Sequence, residues 1–243
     1  MRLARGFLND IINNMLIYIL FLFFALAPVF VWLCFYLKKD RHPEPKKMIL
    51  KVFIAGMSVA CFAAVVEAAF SKLLGHGNLT SEIVKSFLLA GFFEETMKYL
   101  AAKKYSFKSK ELDEPIDFMI YMIVAALGFV AVENIILLFA VDYSYTIASA
   151  FWFMLFRFVG AILLHTLTSG SLGFFIALSL RRNKKSFFLL GFAIAVFMHG
   201  FYNFSIAYYY SVWRYLAPML VLAVLSIVAG FGFSKLKGLR KIS

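Results

Sequence analysis

The sequence predicts an all-α, polytopic membrane protein of about seven transmembrane helices, packed as one bundle in a single domain over residues 1–243. Three observations predict it. The chain is 63% hydrophobic and only 16% charged, with mean hydropathy +0.85, whereas soluble domains run near 45–50% apolar and about 25% charged. Apolar runs recur at the length of roughly 20 residues that a membrane helix needs. Basic residues collect in alternate loops. Thirty Phe and twelve Tyr suit lipid-facing walls and interfacial belts. Cys34 and Cys61 both fall in apolar runs and do not read as a secreted disulfide framework.

The expected spans are 13–37, 48–74, 83–102, 116–141, 156–180, 187–207 and 215–234. The first run has Arg2 and Arg5 before it and Ala25-Leu26-Ala27 within it, which resembles a signal peptide with its cleavage box. Pro28 follows directly and the apolar stretch continues to Leu37, so it reads as the first helix. Residues 148–180 run 33 positions, about 50 Å of helix against a hydrocarbon core of about 30 Å. The stretch from Tyr143 to Leu155, with Trp152, is therefore expected to be interfacial or kinked. No repeat of 20–50 residues and no linker divides the chain.

Loop charge sets the orientation. The stretches 38–47, 103–110, 181–185 and 235–241 carry seventeen Lys and Arg, against Arg2, Arg5 and Arg214 outside the spans on the other side. The positive-inside rule puts the first set in the cytoplasm, with the amino terminus outside and the carboxyl terminus inside. The net charge of +12 is thus a topology signal. It argues against a nucleic-acid partner. Without a Gly-Lys-Ser or Gly-x-Gly-x-x-Gly run, nucleotide binding has no support either.

Ionisable groups lie inside the predicted spans. Glu94, Glu95 and Lys98 share the third, Glu67 is in the second, and Glu133 beside Asn134 is in the fourth. The fifth holds Arg157 and His165, and the sixth holds His199 and Asn203. Each charged side chain near a bilayer centre costs about 2.5–3.5 kcal/mol on insertion scales, so such groups face protein or water and mark function. Glu94 and Glu95 both reach Lys98, at i, i+4 and i, i+3, and His199 and Asn203 share one face. Counted from the basic loops, Glu94, His165 and His199 lie about 13, 24 and 20 Å deep. They straddle the midplane and can meet in one cavity. Glu67 and Glu133 read equally as interhelical hydrogen-bonding residues, and Arg157 as an outer-surface anchor. No His-Glu-x-x-His or Gly-x-Ser-x-Gly run is present.

These segments resemble the PrsW family of intramembrane proteases, within the CAAX-protease and bacteriocin-processing superfamily. Phe93-Glu94-Glu95-Thr96-Met97-Lys98 is similar to its Glu-Glu-x-x-Lys motif, and Gly128-Phe129-Val130-Ala131-Val132-Glu133-Asn134 to its Gly-Phe-x-x-x-Glu-Asn motif. Arg157 followed by His165, then His199-Gly200-Phe201-Tyr202-Asn203, complete the set. The loop Lys39-Asp40-Arg41-His42-Pro43-Glu44-Pro45 resembles the family's Asp…Pro-Glu-Pro segment. The chain departs from the family at Asp117-Phe118-Met119-Ile120-Tyr121-Met122, where Phe118 and Met122 replace glycines. Helix packing or substrate access is expected to differ there.

The resemblance implies a multi-pass protease of the bacterial cytoplasmic membrane that hydrolyses a peptide bond in a membrane-anchored protein, such as a single-pass anti-sigma factor. Hydrolysis needs an activated water, an oxyanion stabiliser and a proton for the leaving amine. Glu94 is expected as general base, holding the water with His165. Glu95 pairs with Lys98 or delivers the proton. His199 and Asn203 face the oxyanion, and Glu133 and Asn134 support the site. A metal-free reaction is the favoured expectation. Zinc held by Glu94 or Glu133 with His165 and His199 is the alternative. A non-catalytic membrane scaffold and a proton-coupled transporter are the competing functions.

Overall fold

A computed structural model describes residues 2–75, 77–140, 146–237 and 239. It is all helical: α1 Arg2–Leu37, α2 Lys46–Leu74, α3 Leu79–Ile83, a π-helical run Val84–Glu94, α4 Glu95–Tyr105, α5 Asp117–Ala140, α6 Ile147–Val159, α7 Ala161–Arg182, α8 Lys185–Tyr208 and α9 Trp213–Leu236. Six helical stretches among the described residues are long and apolar enough to cross a membrane, with α6 and α7 counted as one. The expected third span, with its four charged residues, is not among them. Residues 79–105 nonetheless form one continuous helical path through α3, the π-helical run and α4. That path returns the chain to the end of the bundle where α2 began, because His42 Nδ1 before α2 lies 2.7 Å from Glu114 Oε1 after α4.

The most buried helix is α5, which packs between α2 and α7 and also against α1. Apart from Asp117, Glu133 and Asn134 it is apolar on every face, as a central helix should be. It meets α2 at a pair of glycines. A Cβ on Gly128 would sit 2.0 Å from the Phe53 carbonyl oxygen, and one on Gly56 would sit 2.1 Å from that of Ala125. Only glycine permits backbones this close. Phe118 and Met122, at the departure from the family pattern, are both buried in the core beside Met119 and Ile123.

The long stretch after residue 146 is kinked, as its length requires. The break falls at Gly160, with φ −102° and ψ −91°, so the second helix starts at Ala161 rather than at residue 156. A Cβ there would lie 2.6 Å from the Tyr202 hydroxyl and 2.9 Å from the Phe156 carbonyl, so the site of the break needs glycine. The break puts Arg157 on α6 and His165 on α7. Tyr143, the start of the expected interfacial stretch, lies outside the described residues, as do Arg240 and Lys241 of the last basic stretch. Ala25, Leu26, Ala27 and Pro28 lie inside α1, and Ala25 is fully buried.

Candidate active site

The site is built where α4, α5, α7 and α8 approach one another. Glu94 is the last residue of the π-helical run and Glu95 the first of α4. Wide π turns occur mostly as short bulges, often at functional sites. Here the change of pitch falls between the two glutamates, and both turn to the same lysine. Lys98 Nζ lies 3.0 Å from Glu94 Oε2 and 2.9 Å from Glu95 Oε1. The three side chains are almost completely buried. Unpaired, they would be prohibitive; the pairing and further hydrogen bonds are what allow the burial.

Glu95 is saturated. Its Oε1 also accepts from Thr168 Oγ1 at 3.1 Å and faces His199 Nδ1 at 2.8 Å, and its Oε2 accepts from Ser169 Oγ at 3.2 Å. An ionised carboxylate only accepts, so His199 carries its proton on Nδ1 and presents the Nε2 lone pair elsewhere. That nitrogen lies 3.8 Å from Glu94 Oε2.

His165 is held in the same manner from the other side. Its Nε2 lies 3.1 Å from Glu133 Oε2, and its Nδ1 lies 3.8 Å from Glu94 Oε2. His165 Nδ1 is buried and has no hydrogen-bond partner. The imidazoles cross at 77° with centroids 4.8 Å apart. Phe129 stacks on His165 and lies 4.7 Å from Lys98 Nζ, so one ring braces both.

Arg157 reaches in from α6. Its Nη2 lies 3.0 Å from Glu133 Oε2 and its Nε donates to Asn134 Oδ1 at 2.6 Å. Asn134 Nδ2 donates to the Ala25 carbonyl at 3.0 Å, tying the network to α1. Glu67 on α2 borders the cluster, beside Glu94. Asn203 is the exception. It is half-buried, one turn beyond His199, and among the described residues it is not one that the hydrogen bonds of this cluster include. Thr168 and Ser169 are not among the site residues expected from the sequence. The signal was there, because they follow His165 by three and four positions and share its face.

Glu94, His165 and His199 each offer one ligand atom, and these atoms lie within 4.8 Å of one another. The exits are uneven. The Glu133 side chain is 32% exposed and that of Arg157 12%, while Glu94, Glu95, Lys98, His165 and His199 are at 5% or less. The cluster therefore opens along its Glu133 edge.

A model of the family described as PrsW family intramembrane metalloprotease matches residues 44–231. Curated relatives carry the name Protease PrsW. That of Shouchella clausii (strain KSM-K16) is 26% identical over 208 residues, 84% of this chain and 92% of the relative. That of Geobacillus kaustophilus (strain HTA426) is 28% identical over 171 residues, 70% of this chain and 71% of the relative. That of Bacillus subtilis (strain 168) is 25% identical over 216 residues, 86% and 90%. No solved structure matches the chain significantly.

Proposed function

The chain belongs to the PrsW family of intramembrane proteases, and on that premise we propose that it cuts a membrane-anchored protein at Glu94, His165 and His199. The observation that carries the proposal is convergence. His165 Nδ1 and His199 Nε2 both face Glu94 Oε2 at 3.8 Å, while their far nitrogens are held by Glu133 and Glu95. A single-pass, anti-sigma-factor-like protein is the substrate class, and it reaches the site from the Glu133 edge.

These residues fit a catalytic metal. The donor set is one carboxylate and two imidazoles, and the buried Nδ1 of His165 has no partner of its own. Carboxylates behind both rings are the usual device for fixing the orientation of metal-binding histidines. A divalent ion such as zinc, when bound there, supplies polarisation of the scissile carbonyl and activates water at neutral pH. The residues do the rest. With a metal, Glu94 would be its carboxylate ligand; without one, Glu94 takes the proton from the attacking water and returns it to the leaving amine. Glu95, saturated by Lys98, Thr168, Ser169 and His199, positions rather than transfers. Glu133 and Arg157 hold His165 and line the entrance.

A metal-free reaction is the second reading, and one observation favours it: Lys98 Nζ, 3.0 Å from Glu94 Oε2, already gives Glu94 a cation, which it shares with Glu95. Glu94 and His165 then hold a bare water. Metal analysis of the purified protein separates the two. About one equivalent of bound metal, lost in His165→Ala and His199→Ala, supports the metal reading. Undiminished cleavage after exhaustive chelation sinks it.

The same proposal includes one domain over residues 1–243 with seven crossings, amino terminus outside and carboxyl terminus cytoplasmic. The pairing of His42 with Glu114 supports it, because residues 79–105 must retrace the thickness that α2 covers. At 1.5 Å per residue these 27 positions span about 40 Å. The basic stretches 38–47 and 103–110 then lie on one side.

A further inference from the structure

At the end of the bundle formed by the loop before α2 and the loop before α5, a second carboxylate cluster lies apart from the active site. We propose that Asp40, Glu114 and Asp117 bind one hard divalent cation, magnesium or calcium, which ties the α1–α2 loop to the start of α5. Their ligand atoms lie within 4.8 Å of one another. Asp40 is 8% exposed and Asp117 1%. Asp40 Oδ1 accepts the His42 backbone N–H at 3.0 Å, and Oδ2 is left over. That oxygen is buried and has no hydrogen-bond partner.

The surroundings bring few cations to the cluster. Glu44, buried beside it, accepts the Tyr121 hydroxyl and adds a fourth carboxylate. Among the described residues, the ion pair made by these four acids is His42 Nδ1 with Glu114 Oε1, and His42 is mostly exposed. Asp117 is already fixed in place, because its Oδ2 accepts the backbone N–H groups of Asp113 and Glu114 at 3.0 and 2.7 Å. Carboxylates packed this closely repel unless a proton or a cation is shared among them, and a divalent cation takes the place of the proton. The donors are all oxygen, which suits magnesium or calcium and not the softer metals that imidazole attracts. Three protein ligands leave positions for water, as magnesium in particular keeps.

The test uses the full chain in detergent, with calcium chloride and magnesium chloride as separate probes after chelation. Wild type is expected to bind about one equivalent of one or both ions and to melt at a higher temperature with it. Asp40→Asn is expected to bind at least tenfold more weakly. In chelator it melts at or above the wild-type temperature, since a buried like charge is gone, and with the ion the order inverts. Glu94→Gln keeps the binding. Glu114→Gln, at a half-buried position, carries the same test if Asp40→Asn does not fold. Absence of binding in wild type overturns the proposal, and so does full binding in Asp40→Asn. Binding that is lost with Glu94→Gln instead also overturns it, because the ion then belongs to the active site.

Discussion

The protein buries two groups of carboxylates and treats them in opposite ways. In the membrane-embedded cluster Glu94, Glu95 and Glu133 are met by Lys98, Arg157 and two histidines from the same chain. At the loop cluster Asp40, Glu44, Glu114 and Asp117 are met by one mostly exposed histidine, paired with Glu114, and by neutral donors. Burial raises the Asp40 and Glu44 carboxyls above their ordinary values. The difference follows from the medium. Hydrocarbon supplies no counter-ions, so a carboxylate placed there must bring its cation on a neighbouring helix. A loop at the bundle's end can leave charge for solution to balance.

Breaking the embedded cluster should therefore cost far more than disturbing its edge. Glu94→Gln and His165→Ala should each lower cleavage by about 10²–10⁴-fold, the usual share of a positioned acid–base group. Membrane insertion should be unchanged in both. Lys98→Ala should act on the fold as well as on cleavage. It leaves two carboxylates buried without their cation, a loss of about 3–5 kcal/mol when a buried pair is broken. A thermal melt in detergent reads it, and an unchanged melt would mean that the glutamates find another partner.

Smaller effects sharpen the assignment of Glu95 as a positioning group. Thr168→Val with Ser169→Ala removes two of its four donors and should lower cleavage about 10–100-fold, as for other groups that orient a ligating histidine. The melt should move little. The smallest effect belongs to Asn203→Ala, which should lower cleavage less than about tenfold, the threshold set by the removal of a true oxyanion donor at 10²–10³. A larger loss would return Asn203 to the oxyanion.

Much of this was legible in the sequence, because charge in an apolar chain is conspicuous. Glu94, Glu95, Lys98, Glu133, His165 and His199 stood out against their helices, and the structure brings all six into one cluster. The rest was hidden for physical reasons. The π-helical run leaves no trace in a segment that is apolar on most faces, since periodicity needs contrast. The length of residues 148–180 required a break, but not at Gly160. Placing the helix start at residue 156 kept Arg157 on the His165 helix, whereas the break lets it turn onto Glu133 and Asn134. Thr168 and Ser169 look like ordinary small helix residues until Glu95 is opposite them. The loop cluster joins two stretches far apart in the chain, and only the fold makes them neighbours.

The central claim is that the convergence on Glu94 cuts a membrane protein. Its most direct test compares membrane-protein fragments, by sequencing new termini, in cells expressing the wild-type chain and in cells expressing Glu94→Gln at equal level. At least one single-pass protein should be cut within or beside its membrane segment with the wild type and stay whole with Glu94→Gln. The same fragments in both would contradict the account.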